Sequence, residues 1–188
     1  MRTFVRVDGA ACLLLALLIL TLPLKWLVAA LAAAGIHELC HYLAVMAAGG
    51  RVLTLRIGPG GAVMETEPMS RGSELLCALA GPAGSLLLAG LFRFFPCTAL
   101  CALAQGVFNL LPVYPLDGGR ALRCALEGLG PKRAERVSRL VEFGTLGMLG
   151  ILGIAAIWRH LGYFPLIAAL LLAIRRNKPC KLRRFGVQ

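Results

Sequence analysis

The stretch "IHELCHYLAV", Ile36–Val45, sets two histidines and a glutamate inside the run 26–48, which is otherwise almost wholly apolar. An ionisable side chain at the centre of a membrane span costs about 2.5–3.5 kcal/mol on insertion scales. Three of them in so apolar a segment call for a compensating partner. On a helix, residues four apart stand one above the other on a single face. His37 and His41 have that spacing, so both imidazoles can meet one ion, with Glu38 beside them.

The surrounding composition is that of a membrane protein. Of 188 residues, 59% are hydrophobic, and the mean hydropathy is +0.79, against about 45–50% apolar residues in soluble domains. Six apolar runs approach the ~20 residues that a helix needs to cross a bilayer: 10–24, 26–48, 75–95, 98–111, 141–158 and 163–174. The expectation is an all-α membrane protein of about six transmembrane helices, forming a single domain over 1–188. The catalytic core lies roughly at 26–125, with no separate soluble domain. "AACLLLALLILTL" after Arg2 and Arg6 imitates a secretory signal, and is read as the first span.

The net charge of +11 is distributed as topology signals. The basic blocks "GRALRCALEGLGPKRAERVSR" and "RRNKPCKLRR" are separated by two runs, so they fall on one side, which the positive-inside rule makes cytoplasmic. Counting back places Arg51, Arg56, Arg71 and both termini on that side of a bacterial cell membrane. Lys25, Arg93, Arg159 and His160 remain outside. This pattern fits a lipid bilayer as partner, and no nucleic acid. The seven cysteines, an odd number without a CxxC, read as small buried hydrophobes.

Between the second and third runs, "RVLTLRIGPGGAVMETE" alternates polar and apolar residues on both sides of a Gly-Pro turn, which predicts a β-hairpin. An exposed edge at Leu53–Ile57 could pair with an extended peptide.

HExxH on a helix is the spacing of zinc metallopeptidases, and zinc, worth about 10 kcal/mol or more in peptide sites, would offset the cost of burying its ligands. A catalytic zinc has three protein ligands and one open position. The third ligand has three candidates. Glu65 and Glu67 lie in the hairpin, outside the bilayer, so the better candidate is Asp117. Asp117 lies in "NLLPVYPLDGGR", after a run broken by Pro112 and Pro115, and irregular backbone at such depth occurs where it is buried or lines a wet cavity. A metal transporter is the rival class, but it commonly carries an inverted repeat, and none is visible.

"HELCH", "ALAGPAGSLLLAG" and "NLLPVYPLDGG", in this order over residues 37–119, resemble the site-2 protease family of intramembrane zinc metalloproteases. The six-run layout is similar to the branch containing the stage IV sporulation protease of spore-forming bacteria. The resemblance implies an intramembrane zinc metalloendopeptidase acting on membrane-associated protein substrates, a pro-sigma or anti-sigma factor among them, with a regulatory or inhibitory membrane partner as a further implied component. It makes His37, His41 and Asp117 the Zn2+ ligands, Glu38 the catalytic base, and Asn109 a holder of substrate or of the developing oxyanion. Ser85 stands where the family often carries asparagine.

Overall fold

The computed structural model describes residues 4–58, 61–160 and 162–176. The protein is mostly helical (72%) with one small sheet. Its elements run β1 (Phe4–Val7), α1 (Gly9–Thr21), α2 (Leu24–Ala47), β2 (Val52–Gly58), β3 (Gly61–Thr66), α3 (Arg71–Ala89), α4 (Pro96–Asn109), α5 (Asp117–Leu126), a 3-10 turn (Glu127–Leu129), α6 (Pro131–Trp158) and α7 (Phe164–Arg176).

Each of the six apolar runs has become a helix. Three of these, α2, α3 and α6, are long and apolar enough to cross a membrane by length and composition. The outward faces carry Leu20, Ile151 and Trp158 at 70–87% exposure, surface that only an apolar solvent tolerates in such quantity. Local chemistry sets the boundaries. Ser70 caps α3 by accepting a hydrogen bond from the Ser73 N–H at 3.2 Å. Pro96 and Pro131 open α4 and α6, at the first turn where a missing N–H costs nothing. The amphipathic helix α5 is an addition to the expected set. The basic stretch at 175–184, on which part of the charge argument rests, lies mostly outside the described residues.

Helices α2, α3 and α4 pack against one another, and α5 docks on α3. The segment between α4 and α5 is irregular and is anchored by two buried residues, Val113 and Leu116. They join Leu172 in an apolar cluster, with Leu146 and Leu149 of α6 packed against it. Broken backbone is therefore sheltered by protein, as an apolar surrounding requires.

The hairpin forms as β2 and β3, antiparallel. The sequence reading missed β1, which adds in parallel to β2 with Phe4 opposite Thr54 and Val7 opposite Ile57. This changes the expected docking edge. Strand β2, containing Leu53–Ile57, is the central strand with both edges paired, so the open edges belong to β1 and β3, and β3 is the one that lines the cavity described below.

Candidate metal centre

The side chains of His37 and His41 leave α2 on one face, as their spacing requires, and Asp117 meets them from the first turn of α5. Nε2 of each histidine lies 3.1 Å from Asp117 Oδ2, and the two Nε2 atoms are 3.2 Å apart. Their outer nitrogens are engaged. His41 Nδ1 donates to the Cys77 carbonyl at 2.7 Å, and His37 Nδ1 pairs with the Ser85 hydroxyl at 2.8 Å. A carbonyl only accepts, so the His41 proton sits on Nδ1 and its Nε2 presents a lone pair. Where the Ser85 hydroxyl accepts in the same way from His37 Nδ1, three lone pairs point at one spot.

Such a convergence is repulsive without a cation at its centre. Tetrahedral zinc with ligand bonds of about 2.0–2.1 Å sets neighbouring ligand atoms about 3.3 Å apart, close to the three spacings seen. The His37–His41–Asp117 site fits Zn2+. The cluster is withdrawn from water: His37 is 2% exposed and Asp117 8%.

Glycines make this convergence possible. A Cβ on Gly81 would fall on His41 Nε2 and 2.7 Å from His37 Nε2; one on Gly84 would fall on the Cys40 sulfur. The small residues of "AGPAG" thus let α3 lie directly against the histidine face. The "DGG" has an equally physical reason. A Cβ on Gly118 would strike the Leu110 carbonyl, and one on Gly119 would stand 2.5 Å from the Tyr114 nitrogen. Only without side chains there can α5 fold back on the preceding loop and deliver Asp117.

A cavity of about 470 Å3 opens on the cluster, with Glu38, Asn109, Gln105, Tyr114, Arg120 and Thr66 in its wall. Glu38 faces the start of β3, with the Ala62 backbone N–H turned toward its carboxylate. Of the sequence candidates, His37, His41 and Asp117 come together, and Glu38 and Asn109 share their cavity. Glu65 is exposed on β3, and neither it nor Glu67 belongs to a metal-binding cluster among the described residues.

Two contributors escaped the sequence reading. Ser85, fully buried, holds His37 although it departs from the asparagine of the resembling family. Gln105 was overlooked, although it stands one helical turn before Asn109 in an apolar run. The nearby Cys124 thiol donates to Glu74 Oε2 at 3.8 Å. Burial, with Glu74 and Glu127 close by, pushes its pKa up, so it stays a neutral thiol.

These contacts set two expected outcomes for purified protein titrated with Zn2+ against a chelating indicator. Ser85→Ala removes the partner of His37 and is expected to weaken Zn2+ binding by about 10–100-fold, the usual effect of losing a partner behind a metal ligand. Gly81→Ala drives a methyl group into both imidazoles and is expected to weaken it at least as much. Native affinity in both variants would contradict the packing described.

The peptidase family M50 model matches residues 75–151. A Mycobacterium tuberculosis protein named as the zinc metalloprotease Rip3 is 32% identical over 71% of this chain and 42% of its own length. A zinc metalloprotease of Methanocaldococcus jannaschii is 30% identical over 48% of this chain and 31% of its own. The chain therefore spans less than half the length of these curated relatives. In three dimensions it is similar to the site-2 protease from Methanocaldococcus jannaschii, with a TM-score of 0.65 at 20% identity, covering 97% of this chain and 94% of that one. The structural likeness shows the fold. Over residues 75–151 the chain is thus similar to peptidase family M50, and over part of their length to proteins named as zinc metalloproteases.

Proposed function

We propose that the protein is an intramembrane zinc metalloendopeptidase that hydrolyses peptide bonds of membrane-associated proteins. The observation carrying this reading is the convergence of His37, His41 and Asp117 on one point, with Glu38 in the wall of the same cavity. The relatives named as zinc metalloproteases support it.

In this reading the imidazoles and Asp117 hold the ion and leave its cavity side open. Zn2+ would polarise the scissile carbonyl and bring the pKa of a water there to about 7. Glu38 takes the proton of the attacking water and later returns it to the leaving amine. The Asn109 amide, reaching the cavity from the end of α4, donates to the carbonyl oxygen as negative charge develops.

A helical substrate hides its peptide bonds in its own hydrogen bonds, so it must be extended before cleavage. The open edge of β3 supplies a template for that form. Backbone groups alternate along a strand. With the Ala62 N–H turned to Glu38, those of Met64 and Thr66 turn to the same side, toward the cavity. The six-span count, the sporulation-type branch, a pro-sigma or anti-sigma substrate, a regulatory membrane partner and a single domain over 1–188 belong to this proposal too. They rest on the sequence reading alone.

The central test uses purified protein, metal analysis and a model membrane substrate. Glu38→Gln is expected to retain zinc and lose about 10²–10⁴-fold in turnover, the usual contribution of a general base. Asp117→Ala is expected to lose both zinc and activity, while Glu65→Ala and Glu67→Ala keep both. Near-native turnover by Glu38→Gln, or full zinc in Asp117→Ala, would overturn the reading.

For the edge, Met64→Pro deletes an outward N–H and leaves the β2 ladder intact. It is expected to slow cleavage of a membrane substrate at unchanged zinc content, whereas cleavage at the native rate would reduce the hairpin to a connector. For topology, reporter fusions after Arg71, Arg139 and Gln188 are expected to read cytoplasmic, and one after His160 external. A cytoplasmic signal at His160 would mean that α6 and α7 are not two spans.

A further inference from the structure

Helix α6 lies outside the group of elements that carries the metal ligands, yet it holds a buried carboxylate. Glu142 is 1% exposed and stands one residue inside the apolar run beginning at Val141. Its Oε1 accepts from Arg123 Nη2 of α5 at 3.0 Å and from the Ser138 hydroxyl at 3.3 Å. The Arg123 guanidinium carbon in turn lies 4.1 Å from the centre of the Tyr114 ring, within the range of a cation–π contact. Tyr114 lines the metal cavity and belongs to the loop that ends at Asp117.

We propose that Glu142 and Arg123 are positioning residues that brace the Asp117 loop, making α6 a working part of the metal site. The proposal rests on the reading of His37, His41 and Asp117 as metal ligands. Ser138, Glu142, Leu146, Leu149 and Gly153 recur at three- and four-residue steps, so they share one face of α6. Along that face Glu142 grips α5 through Arg123, while Leu146 and Leu149 pack on the cluster that Val113 and Leu116 form with Leu172 of α7. The 113–116 segment and α5 are thereby tied to the same helix. Arg123 does this from two sides, since it shares α5 with Asp117 and covers Tyr114 just before it.

Stability alone is a poor reason for the pair. Well-packed apolar replacement of a buried ion pair is often neutral or stabilising, whereas removing one partner strands a charge. What the pair adds beyond apolar packing is direction: a planar guanidinium fixed by a carboxylate on one edge and an aromatic face on the other. A carboxylate ligand must be held within about 0.5 Å of its productive position, and the loop delivering Asp117 has no regular secondary structure to hold it.

The same logic supplies the test. In the double variant Arg123→Met/Glu142→Leu both charges are gone, so the fold is expected to survive, with a thermal midpoint in detergent equal to or above the native one. Zn2+ affinity, measured by indicator competition, is expected to fall by at least about tenfold. The visible absorption of the fully Co2+-loaded protein is expected to change in position or intensity, as the ligand geometry relaxes. Arg123→Met alone, which strands the buried Glu142 carboxylate, is expected to lower the thermal midpoint. A double variant with native Zn2+ affinity and a native Co2+ spectrum overturns the brace, as does one that loses its fold along with its metal. His37→Ala and Asp117→Ala are titrated in parallel with the unsubstituted protein. If they bind Zn2+ with native affinity, the reading of the site fails, and the brace falls with it.

Discussion

Three lone pairs aimed at one point are the constraint on which the rest of this structure depends. Two imidazole nitrogens and a carboxylate oxygen stand about 3 Å from one another in a site almost closed to water. Without a cation they repel, and leaving them unpaired in an apolar surrounding is costly. The protein fixes them from behind: a backbone carbonyl of α3 orients His41, and a buried serine of α3 holds His37. The site is thus organised before any ion arrives, which favours binding because little ordering remains to be done.

Close approach of backbone is the means by which this is achieved. Gly81 and Gly84 bring α3 against the histidine face of α2, and Gly118 and Gly119 let α5 turn back on the loop before it. In an apolar solvent the hydrophobic effect does little to bring helices together, so contact through small residues and hydrogen bonds carries more of the association. Here the two are combined at one place, because the same helix pair that packs through glycine also exchanges the histidine hydrogen bonds.

The sheet and the outer helices complete the arrangement from opposite sides. β3 lies over Glu38 and turns an unpaired edge toward the cavity, where an extended chain can add. On the other side α6 and α7 pack on the loop between α4 and α5, which would otherwise expose backbone polar groups to lipid. The proposed peptidase activity would use both features: one side that admits an extended substrate, and one that keeps Asp117 in place.

Much of this was legible in the sequence. Apolar run length foretold the helices, because a bilayer demands length and composition more than pattern. The i, i+4 spacing of His37 and His41 put them on one face, because helix geometry is local. The alternation in 51–67 gave the hairpin for the same reason. For the third ligand the residues favoured Asp117 over Glu65 and Glu67 on depth in the membrane, although separations of 76 and 80 positions carry no local signal of contact. Tertiary structure placed Asp117 at the histidines and left Glu65 exposed on its strand. It also paired β1 with β2, leaving the open edges to β1 and β3 instead of Leu53–Ile57, since partners distant along the chain decide which strand is central. Ser85, the Cys77 carbonyl and the pairing of Glu142 with Arg123 were likewise hidden. A hydrogen bond depends on where two helices touch, and a backbone carbonyl leaves no trace in residue identity. The chemistry of the centre is therefore set by side chains that the sequence displays, whereas its geometry is set by contacts that only folding creates.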